Sequence, residues 1–165
     1  MRMMMAALMC AAAACAQAAT TMELVKEGDV TRYVVTVPDS ETYTLTESDA
    51  ASFGTTDILK TGGGTLVAGA AMPNYVGDIF ITNGVYRADA AGACGPNAGK
   101  VVVSGTGTLM NGIASGNDWS SSGGYPSLGV VEKVYLEGTG YNGQGALFND
   151  QVNCQNFAHY VYMTD

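Results

Sequence analysis

The sequence predicts an all-β protein: a right-handed parallel β-helix or β-solenoid with an N-terminal β cap, preceded by a signal peptide. Three observations predict it. The stretch from Asp57 to Ala88, DILKTGGGTLVAGAAMPNYVGDIFITNGVYRA, joins three short apolar strands through Gly and Asn turns. Such a unit is too small to bury its own apolar face and becomes stable by stacking on similar units. Apolar pairs at alternate positions recur at Ile79 and Ile81, Val101 and Val103, Val134 and Leu136, and Val161 and Met163, in steps of 22, 33 and 27 residues. The tripeptide Gly-Thr-Leu punctuates the chain at Gly64 to Leu66 and again at Gly107 to Leu109, a repeat for which a Greek-key sandwich gives no reason.

Residues 1–18 read as a signal peptide. Arg2 is followed by an apolar run from Met3 to Ala16, and Ala16, Gln17 and Ala18 form the small-x-small pattern of a cleavage site. The run falls short of the roughly 20 apolar residues that span a bilayer. No other run of that length follows, so no membrane insertion is expected. Cys15 is preceded by three Ala, which does not fit the Leu-x-small-Cys pattern of a lipoprotein.

Residues 19–56 are expected to supply N-terminal capping strands. In Thr31 to Val37 the residues Tyr33, Val35 and Val37 share one face and Arg32, Val34 and Thr36 the other. Pro38, Asp39 and Ser40 turn the chain, and Glu41 to Glu47 repeats the alternation with Tyr43 and Leu45 inward. Residues 57–165 are then the solenoid coils. The 33-residue step contains NGIASGNDWSSSGGYPSLG, whose Gly, Ser, Asn and Asp content marks a long turn projecting from the stack.

Leu59, Lys60, Gly62, Gly64, Thr65 and Leu66, then Gly69, Asn74, Tyr75, Gly77, Ile81 and Gly84 after a short insertion at Ala70 to Pro73, resemble the autotransporter-associated β-strand repeat, also called the passenger-associated transport repeat. Two places depart from the pattern: Asp78, and Val85 to Arg87. A second likeness lies in Val134 to Leu136, Gly138, Gly140, Gly145 to Leu147 and Asn149. The resemblance implies export and a β-helical passenger. Family members run on into further coils, so this chain is expected to be an N-terminal fragment, whose open β edge after Met163 invites self-association. The family's translocator barrel has no counterpart in the sequence.

Composition narrows the partners. Removing the signal peptide leaves six Lys and Arg against fifteen Asp and Glu, and Lys26, Arg32, Lys60, Arg87, Lys100 and Lys133 are scattered singly. Nucleic acid is therefore not an expected partner, for no basic cluster meets phosphates. Cys94 and Cys154 remain after processing, sixty positions apart, and whether they pair is left open by the sequence.

The constellations that carry chemistry are missing. His159 stands beside Asn156, Phe157 and Tyr160 with no nucleophile elbow or second metal ligand at recognisable spacing. Asp78, Asp89, Asp118 and Asp150 are isolated, although residues remote in sequence can converge across coils. Gly62 to Gly64 lead into Thr65 and Leu66, so they match neither a calcium β-roll nor a phosphate loop. No catalytic, cofactor-binding or metal residue is expected.

The aromatics Tyr75, Trp119, Tyr125, Tyr135, Tyr141 and Tyr160 offer a surface for a glycan or a host or cell-surface protein, with Trp119 read either as a plug over the coil or as a recognition residue. The expected function is a secreted or cell-surface structural and adhesive β-solenoid, a non-catalytic passenger-like segment. The alternative is the N-terminal part of a β-helical polysaccharide-active enzyme whose catalytic coils lie beyond this chain.

Overall fold

The computed structural model describes residues 18–90, 92–95, 99–112, 133–150 and 161–164. Its strands are β1 (Thr21–Glu27), β2 (Val30–Thr36), β3 (Thr42–Thr44), β4 (Asp57–Thr61), β5 (Thr65–Ala68), β6 (Ile79–Ala88), β7 (Val101–Asn111), β8 (Val134–Leu136), β9 (Leu147–Asn149) and β10 (Val161–Met163). One helix, α1 (Glu47–Phe53), and a 3₁₀ turn at Tyr141–Gly143 complete the described elements. The strands form a β-solenoid, mostly β and wound through parallel pairings.

Two faces of the coil are defined by those pairings. On the first, β2, β4, β6, β7, β8 and β10 stack in parallel as six rungs. On the second, β3, β5, the latter half of β6, the latter half of β7, and β9 do the same. β6 and β7 are long because each crosses from one face to the other. The register shifts between Ile81 and Asn83, where β7 carries the extra residue of a bulge and bends.

Side-chain alternation explains why these segments are strands. The first face's inward columns are Tyr33, Ile58, Ile79, Val101, Val134 and Val161, and Val35, Lys60, Ile81, Val103, Leu136 and Met163. The apolar pairs read from the sequence thus align rung for rung despite their unequal spacing. On the second face Tyr43, Leu66, Tyr86, Leu109 and Leu147 form one column, and both Gly-Thr-Leu leucines stand in it. Each fully buried aliphatic contributes about 1.5 to 3 kcal/mol.

Strand β1 differs in direction, pairing antiparallel with β2 along its whole length. Strands β2 and β3, expected to cap the stack, pair in parallel with β4 and β5 and so lie in its first coil.

Helix α1 was not legible as a strand former would be. Thr46 caps it: its Oγ1 accepts from Asp49 N and Asp49 Oδ2 accepts from Thr46 N, a reciprocal capping box. Phe53 at its end is buried, with Tyr33 at 5.3 Å and Tyr75 at 6.4 Å in edge-to-face contact. A seven-residue helix holds because that ring is anchored, not through propensity.

Candidate functional site

The outward side of the first face carries three columns, each taking one residue per rung. The middle column is apolar: Val34, Leu59, Phe80, Val102, Tyr135 and Tyr162. The first five are half-buried and Tyr162 is exposed, its ring stacked on Tyr135 at 5.1 Å. Two residues earlier along the first five rungs comes a charged column, Arg32, Asp57, Asp78, Lys100 and Lys133. Two residues later comes a largely hydroxyl column, Thr36, Thr61, Thr82, Ser104, Glu137 and Thr164.

The charged column is knit across coils. Asp78 N donates to Asp57 Oδ1 at 3.0 Å. Arg32 Nε lies 3.8 Å from Asp57 Oδ2, and Lys100 Nζ lies 3.6 Å from Asp78 Oδ2. Both cations also flank Phe80, Arg32 at 4.6 Å from the ring centre and Lys100 at 5.9 Å. Asp57 and Asp78, twenty-one positions apart in sequence, therefore meet on neighbouring rungs.

A second charged cluster lies on the other face. Arg87 pairs with Asp89 at 2.6 Å and with Asp150 at 2.8 Å. Two of the acids singled out from the sequence are thus gathered by one guanidinium, whose Nη1 also contacts Met110 Sδ at 3.8 Å. Among the described residues, no group of three or more His, Cys, Asp or Glu could hold a metal ion.

Inside the coil the unexpected residue is Lys60. It has no exposed surface, and it occupies an inward column whose neighbours are Val35 and Ile81. Its ammonium donates to Gly62 O at 2.7 Å, Thr61 O at 2.9 Å and Asn83 O at 3.0 Å. Burial drives its pKa down to about 8, with Asp39 acting weakly in the opposite sense. Its chemical role is to supply three donors to carbonyls that converge where the chain turns between faces.

The other residues named from the sequence fall as follows. Tyr75 belongs to the core, not to a binding surface: it is buried and its hydroxyl donates to Asp78 O at 2.7 Å. Tyr135 faces outward in the apolar column, and Tyr141 is half-buried with its N–H donating to Thr108 Oγ1 at 2.7 Å. Cys94 is buried beside Ala93, the carbonyl of which accepts from Tyr86, and burial pushes its thiol up to about 12. Residues 1–17 of the expected signal peptide 1–18, together with Asp118, Trp119, Tyr125, Cys154, His159 and Tyr160, lie outside the described residues.

Sequence reasoning missed Phe80 and Tyr162 as surface aromatics. The available signal was alternation, since each sits between two inward residues. A groove of about 510 Å³ between α1 and residues 70–75, lined by Ala50, Ala51, Ala70, Ala71, Met72 and Pro73, was also not foreseen. Among the described residues no helix is long and apolar enough to cross a membrane. Comparison with known protein families, with characterised proteins and with solved structures finds no match for this chain.

Proposed function

We propose that the chain is a secreted or cell-surface structural and adhesive β-solenoid, a non-catalytic passenger-like segment exported after removal of residues 1–18. The single observation that carries this reading is the register of the first face, where the outward column from Val34 to Tyr162 runs through six stacked rungs. A rod built this way derives its stiffness from backbone hydrogen bonds between coils and presents its outward side chains in straight lines. The winding is right-handed, the sense that parallel crossovers adopt almost without exception.

Two measurements test the proposal. Expression with the native leader, followed by fractionation and N-terminal sequencing, is expected to find a chain beginning at Ala19 outside the cytoplasm. A cytoplasmic chain retaining Met1 overturns export. The purified chain is expected to bind a glycan array or host-cell surfaces above the level of an unrelated β protein of equal net charge, and absence of binding to both overturns the adhesive role. Turnover of a polysaccharide by the intact gene product, abolished by mutating an acid cluster in coils beyond this chain, would replace this reading with an enzymatic one.

A further inference from the structure

The three outward columns of the first face fit a second copy of themselves. With the rungs numbered one to six from β2 to β10, the charged column reads plus, minus, minus, plus, plus at Arg32, Asp57, Asp78, Lys100 and Lys133. We propose that two copies of this chain pack face to face and antiparallel, about a twofold axis passing between the third and fourth rungs, perpendicular to the solenoid axis.

That axis sets rung three against rung four, two against five, and one against six. In the charged column Asp78 then meets the second copy's Lys100, and Asp57 meets its Lys133, each contact occurring twice by symmetry. In the apolar column Phe80 meets Val102, Tyr135 meets Leu59 and Tyr162 meets Val34, so each aromatic ring faces an aliphatic side chain. In the third column Thr82 meets Ser104 and Thr61 meets Glu137.

Other registers lose these matches. Placing the axis on rung three sets Asp78 against itself and Arg32 against Lys133, while placing it on rung four sets Lys100 against itself. A parallel arrangement about an axis along the solenoid stacks Phe80 on Phe80 and turns the charged column against the hydroxyl one. Like charges in contact select against the alternatives more strongly than the exposed ion pairs stabilise the favoured one.

The area limits the affinity. Rungs about 4.8 Å apart and three columns two residues apart give roughly 500 Å² per copy. The total of about 1,000 Å² is near the lower bound for a specific interface, so a dimer of micromolar strength is expected. The contact joins two faces, not two sheet edges, and does not depend on export.

Charge exchange between two variants tests it. Lys100→Glu with Lys133→Glu makes one chain whose paired positions are all acidic, and Asp57→Lys with Asp78→Lys makes another whose paired positions are all basic. Light scattering on purified chains is expected to show a wild-type dimer that dissociates on dilution, each variant alone at least tenfold weaker, and the dimer restored in an equimolar mixture. Circular dichroism checks that each chain keeps its β signal. Should the Asp57→Lys, Asp78→Lys chain lose it, Val102→Lys, a single outward substitution, takes its place and must abolish the dimer while retaining the β signal.

A wild type that is monomeric at its highest soluble concentration overturns the proposal. So does a variant that dimerises as well as the wild type alone, or a mixture that stays monomeric. A monomer whose apolar column instead binds a soluble oligosaccharide overturns it in favour of a glycan face.

Discussion

The corner where the chain leaves the first face can be compared between coils. In the second coil Lys60 stands in the inward column just before the corner and its ammonium binds the carbonyls of Thr61, Gly62 and Asn83. At the equivalent positions of the fourth and fifth rungs the residues are Val103 and Leu136, both buried. Both corners turn through glycine with positive φ, Gly62 at 76° after Lys60 and Gly138 at 93° after Leu136, and the third coil's corner does the same at Gly84, 69°. A coil corner thus needs a glycine backbone regardless of what fills it, while the filling can be aliphatic or cationic depending on whether carbonyls point inward there.

The largest effect should come from what the corners share. An added Cβ at Gly84 would lie 2.4 Å from the carbonyl oxygens of Gly62 and Gly64, and one at Gly138 would lie 2.2 Å from Gly105 O. Gly84→Ala and Gly138→Ala should therefore each cost about 5 kcal/mol or prevent folding, because the new atom meets backbone of the preceding coil in addition to the φ penalty. Denaturant unfolding followed by circular dichroism measures this. If either variant unfolds at the wild-type midpoint, the corners are not under the constraint inferred.

The two fillings should not be interchangeable. Val103→Lys should cost about 4 kcal/mol at pH 7, since it buries an ammonium where an aliphatic packs against Ile81 and Leu136. Equal stability of this variant and the wild type would mean that the fourth rung offers the same carbonyl cluster as the second.

Proton linkage distinguishes the cationic filling from an aliphatic one. The Lys60 pKa is about 8 in the folded chain, below the ordinary 10.5. Below pH 8 both states carry the proton and the burial penalty is fully present. Between pH 8 and 10.5 the unfolded state binds more protons, so stability rises with pH across that window, by about 3 kcal/mol in total. Lys60→Met should abolish this rise. The readout is the difference between wild-type and variant stability as a function of pH, and a flat difference sinks the assignment. At pH 7 that variant should lose only about 2 kcal/mol, because the donors it removes from three carbonyls are partly offset by relief of a buried charge.

The smallest effect belongs to α1, which lies outside the corner. Thr46→Ala removes the acceptor for Asp49 N and should cost about 1 kcal/mol. A larger loss would show that the helix end supports the coil beyond its own turn.

Legibility of the fold followed the periodicity of each segment. Val101 and Val103, or Val134 and Leu136, could be placed inward from alternation alone, because a rung buries one side chain in two. Lys60 obeys the same alternation, but charge argues for the outward side, and nothing in the local sequence tells that three carbonyls await it. Helix α1 failed to register because ESDAASF offers a single large apolar residue, leaving the capping box of Thr46 and Asp49 as the available signal. Strand β1 alternates poorly, its TMELVKE being mostly exposed, so only its pairing with β2 defines it.

The columns of the outward face were illegible for a different reason. The contact of Asp57 with Asp78 depends on a coil of twenty-one residues closing in register. Rung register is a property of the stack, so charges that look scattered along the chain become a line only when the coils close.

The distance along the chain between successive rungs has one further consequence. It ranges from 21 residues between Ile58 and Ile79 to 33 between Val101 and Val134, yet the rungs remain in register. Because loop closure grows only with the logarithm of length, that difference is worth a few tenths of a kcal/mol. A lineage carrying this architecture can therefore lengthen, shorten or replace the segments between rungs at little thermodynamic risk. The stack acts as a permissive chassis, in which substitutions are costly at the rungs and insertions cheap between them.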